Sequence, residues 1–196
     1  MQKILILLFI LLAPLANNTF AAKERAIFAG GCFWCMESPI EKFDGVSEVI
    51  SGYIGGKKMN ATYKAVSAGG TGHAEAVEVL YDPQQVSYEK LLEVFWMQID
   101  PTDAGGQFVD RGSQYRSGIF YLDDGQKKLA EESKQKLAKS GRFDKQLVTE
   151  IVMAGEFYPA EEYHQDYHSK NPLRYKYYRY GSGRDKFLDQ VWGKDR

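Results

Sequence analysis

Residues 26–37 read Ala26-Ile27-Phe28-Ala29-Gly30-Gly31-Cys32-Phe33-Trp34-Cys35-Met36-Glu37, and they contain the only two cysteines of the 196-residue chain. The apolar run before the glycines reads as a buried strand, and Met36 to Phe43 reads as the start of a helix. Cys32 then falls at or just before a helix N-terminus. Unpaired main-chain N–H groups and the helix dipole favour a thiolate there. The two glycines permit a sharp turn and are expected to leave room for a molecule to approach the sulfur. These are the surroundings of a nucleophile.

The chain ahead of this stretch has the order of a secretory signal. Lys3 precedes an unbroken apolar run, Ile4 to Leu12, and a small-residue segment ends Thr19-Phe20-Ala21-Ala22. Residues 1–21 are expected to be removed by cleavage after Ala21, placing the mature protein in the periplasm or outside the cell. An uncleaved N-terminal membrane anchor is the alternative, against which the short apolar run argues. The remaining 175 residues suit one domain, 22–196, and no linker, repeat or low-complexity block divides them. They carry 24 basic and 26 acidic residues, a net charge of −2, which points neither to nucleic acid nor to an anionic membrane. A monomer is expected. One cysteine pair is too few for a disulfide-stapled scaffold, so the pair is there for chemistry.

Further along, Val46 to Ile54 reads as a strand ended by Gly55-Gly56, and His73 to Tyr81 as another. Strict alternation puts Glu75 on the face of Val77, Val79 and Tyr81. Desolvation there favours the protonated carboxyl; a wet position at the strand's end is the other reading, and periodicity does not choose between them. Ser87 is placed to cap a helix whose apolar residues are Tyr88, Leu91, Leu92, Phe95 and Ile99. The polar loop from Asp103 to Gln114 is long for a simple connection. Ser117 to Leu122 reads as a strand, Asp123 or Asp124 as the cap of a charged helix running to about Ser140, and Leu147 to Met153 as a last strand. The tyrosine-rich tail from Glu156 has weak periodicity and is expected to wrap over the sheet with its phenols at the rim. Strands and helices mix without strict alternation, which predicts an α+β two-layer sandwich, a mixed or antiparallel central sheet flanked by helices.

A Cys-x-x-Cys pair has three ordinary uses: half a zinc site, a structural disulfide, or a redox pair. Zinc needs two more ligands. His164 and His168 have the i, i+4 spacing of two ligands on one helix, but Gln165 stands where the metalloprotease motif has glutamate. A structural disulfide closing so short a loop restrains the unfolded chain little. The redox pair fits best.

Gly31-Cys32-Phe33-Trp34-Cys35 resembles the signature of the A-type peptide methionine sulfoxide reductases, in the subgroup whose signature ends in cysteine. Asn60-Ala61-Thr62-Tyr63, Gly72-His73-Ala74-Glu75-Ala76-Val77 and Asp110-Arg111-Gly112-Ser113-Gln114-Tyr115-Arg116-Ser117 resemble the same family, in the same order. The resemblance implies a ferredoxin-like core with extensions and no metal or organic cofactor. It also implies reduction of methionine S-sulfoxide, free and in proteins. Cys32 is then the nucleophile, with Glu75, Tyr63 and Tyr115 as donors to the sulfoxide oxygen and Glu75 as the protonated acid that releases it as water. Phe33 and Trp34 would hold the substrate methyl group, and Asp110 would orient the polar groups. The same resemblance implies a sulfenic acid on Cys32, resolved by Cys35, the only other cysteine, and recycled by a thioredoxin-like reductant.

One geometric condition follows. Residues i and i+3 of a regular helix hold their Cβ atoms roughly 5–6 Å apart, whereas a disulfide needs roughly 3.5–4.5 Å. Pro39, four residues after Cys35, has no N–H for the Cys35 carbonyl, so it is expected to keep this turn deformable.

Overall fold

The structure, a computed structural model, describes residues 22–195; the signal expected at 1–21 lies outside them. In chain order it runs β1 (Glu24–Gly30), α1 (Phe33–Ile40), β2 (Val46–Ile54), α2 (Tyr63–Ser67), β3 (Ala74–Tyr81), α3 (Tyr88–Trp96), β4 (Gly106–Gln107) and β5 (Asp110–Arg111). There follow β6 (Ser117–Tyr121), α4 (Asp124–Lys139), β7 (Glu150–Met153), β8 (Phe157–Pro159), α5 (Tyr167–Lys170), α6 (Pro172–Gly181) and α7 (Arg184–Trp192).

Six strands form one sheet in the order β7-β6-β1-β3-β2-β8. Every neighbouring pair is antiparallel except β6 and β7. The inner four, β6-β1-β3-β2, with α1 and α3 as crossovers, are the split βαβ arrangement of a ferredoxin-like core. The expected α+β class is therefore met, with β7 and β8 added at the two edges.

Alternation assigns the faces. Phe28, Val77, Val79 and Tyr81 join the core under α1, α3 and α4, while Ile27, Ala29, Ala74 and Ala76 line the opposite face with Phe120 and Phe157. Phe28 stacks on Phe95 at 5.2 Å and on Tyr88 at 6.0 Å, which seats α3 on the central strand. Caps set two helix starts: Ser87 Oγ accepts from Lys90 N at 3.3 Å and Asp123 Oδ1 from Gln126 N at 2.8 Å. The strand expected from Leu147 is shorter than read and pairs only from Glu150. Val148 N–H donates instead to the Pro101 carbonyl at 2.7 Å, so this stretch is tied to a loop rather than to β6.

The tail departs most from expectation. It forms three short helices, α5 to α7, packed beside α1 rather than a wrap with its phenols at the rim. Asp166 in the left-handed region (φ 53°) and the Asn171-Pro172 pair break the chain into pieces too short for a periodic signal.

Candidate active site

The turn between β1 and α1 is built by sterics. Gly31 has φ +83°, and a Cβ there would lie 2.6 Å from Gln107 Cβ and 2.9 Å from Arg184 Nη2. A Cβ on Gly30 would collide with the Met36 sulfur and meet Ile99 Cγ2 at 2.8 Å. The space beside the glycines is thus filled by the protein's own side chains, not left open for an approaching molecule. Cys32 is the N-cap of α1, which begins at Phe33 rather than Met36, and Cys35 N–H donates to the Cys32 carbonyl at 3.0 Å.

Above the turn is a cavity of about 60 Å³ lined by Cys32, Phe33, Trp34, Tyr63, Glu75, Asp110, Tyr115 and Tyr178. Seven of the eight residues singled out in the sequence meet there, from four separate segments. Cys35 lies behind the wall, fully buried with Cys32 and Tyr175. A larger groove of about 640 Å³ runs past Ser47, Ile50 and Gln165, but neither cysteine lines it.

Glu75 is 2% exposed, and its Oε2 accepts the Phe33 N–H at 3.1 Å. Burial raises its pKa to about 8, against the lowering effect of that hydrogen bond, so the carboxyl is protonated at neutral pH. Burial, reinforced by Glu75, pushes Tyr63 up to about 12 and Tyr115 higher, leaving both phenols as donors. Glu161 fixes Tyr63 by accepting its N–H at 2.9 Å and, with its other oxygen, the Tyr53 hydroxyl at 2.8 Å. Asp110 sits on the β4–β5 hairpin, which Arg111 closes through paired contacts to Asp103 at 2.6 and 2.9 Å. The Tyr178 hydroxyl donates to Asp110 at 2.5 Å, and burial holds the Asp110 carboxyl above its ordinary range.

The two thiols differ in a way the sequence does not suggest. Burial, the Cys35 sulfur, Glu75 and Asp110 all raise the Cys32 pKa, which favours the thiol form there despite its place at a helix N-terminus. Cys35 is brought down to about 6, first by the hydrogen bond from Cys32 and then, against burial, by Arg184 and Arg179. Burial is the largest influence on Cys32, and the acidic neighbours add to it.

Sequence reasoning misses the tail's share of this site. Tyr167 lies flat on Trp34 at 3.7 Å and 6° between planes, and Tyr178 meets the same ring edge-on at 5.9 Å. Arg179 Nη1 donates to the Cys35 carbonyl at 3.1 Å. Arg184, 1% exposed, donates to the carbonyls of Gly30 at 3.0 Å and Gln98 at 2.5 Å. The i, i+4 spacing of Tyr175 and Arg179 is the one hint the tail offers.

His164 and His168 do not form the helical pair their spacing suggests. His164 ends a 3₁₀ turn, Asp166 reverses the chain, and only His168 lies on α5. The His164 ring packs against Tyr63 at 4.3 Å and Phe33 at 5.0 Å, behind the aromatic wall. Nε2 of His168 lies 3.3 Å from Glu41 Oε2, close to buried Glu37, whose carboxylate accepts the Asp166 N–H and the Ser51 hydroxyl, each at 2.6 Å.

Buried Cys32, backed by a second cysteine and facing a protonated carboxyl and phenols across a small aromatic pocket, is the setting of an oxidoreductase that works through a thiol. Comparison with known proteins narrows the class. Residues 24–196 match the family model for peptide methionine sulfoxide reductase. The chain is 59% identical over 172 residues to peptide methionine sulfoxide reductase MsrA of Bacillus licheniformis, covering 88% of this chain and 95% of the relative. It is 57% identical over 171 residues to the MsrA of Bacillus subtilis, covering 87% and 97%. Reduced Mxr1 from Saccharomyces cerevisiae superposes with a TM-score of 0.72 at 33% identity, covering 76% of this chain and 86% of that one. The chain belongs to the peptide methionine sulfoxide reductase A family, oxidoreductases that act on methionine sulfoxide.

Proposed function

We propose that this reductase acts on the S epimer of methionine sulfoxide, through a sulfenic acid on Cys32 that Cys35 resolves. The observation that carries the reading is the convergence of Cys32, protonated Glu75, Tyr63 and Tyr115 on one cavity walled by Phe33 and Trp34. The methyl group packs on the two aromatics, a favourable partner for a sulfur substituent. Glu75 and the two phenols donate to the sulfoxide oxygen, where negative charge gathers as the Cys32 sulfur attacks. Oxygen passes to Cys32, giving thioether and sulfenic acid. The Cys35 sulfur then displaces that oxygen as water, leaving the Cys32–Cys35 disulfide.

A thioredoxin-like dithiol restores both thiols. Yeast Mxr1, which shares the fold, has been solved in complex with Trx2, and this supports the choice of reductant. The signal-like order of residues 1–21 supports export, so the reductant works in the same compartment.

The deciding assay offers purified S- and R-sulfoxides of N-acetyl-methionine with thioredoxin as reductant. Consumption of the S form alone supports the proposal. Equal consumption of both, or none of either with protein disulfides reshuffled instead, overturns it.

A further inference from the structure

We propose that Arg179 is the positioning residue for the resolving thiol: it holds the Cys35 carbonyl that Pro39 cannot serve, and so presents Cys35 to the sulfenic acid. The inference rests on the reading of Cys35 as resolver.

Pro39 lies inside α1 and has no N–H to donate to the carbonyl four residues earlier, that of Cys35. Arg179 Nη1 donates there at 3.1 Å, across 144 residues of chain. Its guanidinium is held on every side: Nε contacts Asp185 Oδ1 at 3.0 Å, Nη2 contacts Gln98 Oε1 at 3.2 Å, and Nη1 also reaches the Tyr175 hydroxyl at 3.3 Å. A forked, planar donor with this many anchors is rigidly placed. The peptide of the resolving cysteine is therefore tied to the tail by a side chain.

The difference matters in the second step. Closing the disulfide requires the Cβ atoms of Cys32, the N-cap, and Cys35, in the first turn, to come within roughly 3.5–4.5 Å of each other, so this turn must adjust. A ladder N–H would tie the carbonyl to the very turn that must adjust, whereas Arg179 holds it from the tail, outside that turn. The Cys35 sulfur attacks the sulfenic sulfur of Cys32, the S–S bond forms, the S–O bond breaks, and the oxygen leaves with the two thiol-derived protons as water. The oxidant has already been consumed as sulfoxide.

Charge acts in the same direction. Cys32, Glu75, Asp110, Tyr175 and Tyr178 face Cys35, and the two cations facing it are Arg179 and Arg184. They favour the thiolate needed for attack.

The test mixes full-length Arg179→Met and Arg179→Lys enzymes with one equivalent of N-acetyl-methionine S-sulfoxide, without reductant. Rapid quenching follows methionine formation and loss of the Cys35 thiol separately. Arg179→Met is expected to form methionine within twofold of the wild-type rate while thiol loss slows at least tenfold and dimedone-trapped sulfenic acid accumulates. Arg179→Lys, which keeps the charge and one donor, is expected to slow thiol loss about threefold. In a Cys32→Ser background, Arg179→Met should move the midpoint of Cys35 alkylation to higher pH, and Arg179→Lys should restore it. Thiol loss at the wild-type rate in Arg179→Met, equal slowing of both steps, or an unmoved midpoint overturns the proposal. If Arg179→Met does not fold, Arg179→Lys decides alone: slowed thiol loss with unchanged methionine formation supports it, and wild-type rates for both overturn it. A Cys35→Ser enzyme that turns over repeatedly would remove the underlying reading instead.

Discussion

The Glu75 carboxyl accepts the main-chain N–H of Phe33, the residue that follows Cys32, at 3.1 Å. One hydrogen bond thus fixes the carboxyl from β3 against the first turn of α1, at the wall of the cavity. The same bond favours the ionised form, yet burial is the stronger influence and keeps the proton in place up to about pH 8.

Glu75→Gln should preserve this contact and remove the proton. Methionine formation in a single turnover is expected to fall about 10²–10⁴-fold, the usual worth of a general acid. The wild-type rate should decline above a midpoint near pH 8, and that limb should vanish in the variant. A retained limb would assign the titration to another group.

Stability should respond in the same window. The folded carboxyl has a raised pKa, so folding favours the protonated form, and the cost of burying the anion grows as pH rises from about 4.5 to about 8. At about 1.4 kcal/mol per unit, the loss across that window is of the order of a few kcal/mol. Urea unfolding of wild type between pH 5 and 8.5 should show it, and Glu75→Gln should flatten the slope. Glu37 and Glu41, both raised to about 7 chiefly by burial, add slopes of the same sign over a shorter window that ends near pH 7, so the Glu75 contribution stands alone among these carboxyls between about pH 7 and 8.

Cys35→Ser should produce one equivalent of methionine and stop, with a dimedone-reactive Cys32, because no other cysteine exists in the chain. Multiple turnovers with thioredoxin would show that Cys35 is dispensable.

Tyr167→Leu removes the ring stacked on Trp34 and leaves every donor to the sulfoxide oxygen in place. An aromatic pair of this kind is worth about 0.5–1.5 kcal/mol. KM should therefore rise roughly twofold to tenfold with little change in the single-turnover rate at saturation. A large drop in that rate with constant KM would place Trp34 in the chemistry rather than in binding.

Gly31→Ala should be severe. The residue is left-handed at φ +83°, which costs a non-glycine residue about 1–2 kcal/mol, and its methyl group would meet Gln107 Cβ at 2.6 Å. A loss of about 3 kcal/mol or more in urea unfolding is expected; a loss under about 1 kcal/mol would mean the turn can relax.

Much of this was written in local pattern. Alternation along β3 puts Glu75 on the face of Val77 and Val79, and the strand's continuation through Ala74 makes that position buried rather than wet. Ser87 and Asp123 announce their helices through short-range capping chemistry. The tail is different in kind. Its helices are short, its exposed faces carry Leu173, Tyr177 and Tyr180, and its functional groups act on partners more than 65 residues away, as Tyr178 does on Asp110. No periodicity encodes such a contact. The direction of the Cys32 shift was likewise hidden, because it comes first from burial and then from Cys35, Glu75 and Asp110, and burial by distant segments is not a local signal.

Arg179 lies 144 residues after the cysteine it holds. At about 5–20 residues per second of synthesis, that separation is roughly 7–29 s. The thiols are among the first groups of the domain to be made, and their cover is among the last. A chain still short of its last helices lacks the cover that Tyr167, Tyr175, Tyr178 and Arg179 give the two cysteines, so the thiols are complete before their shelter is.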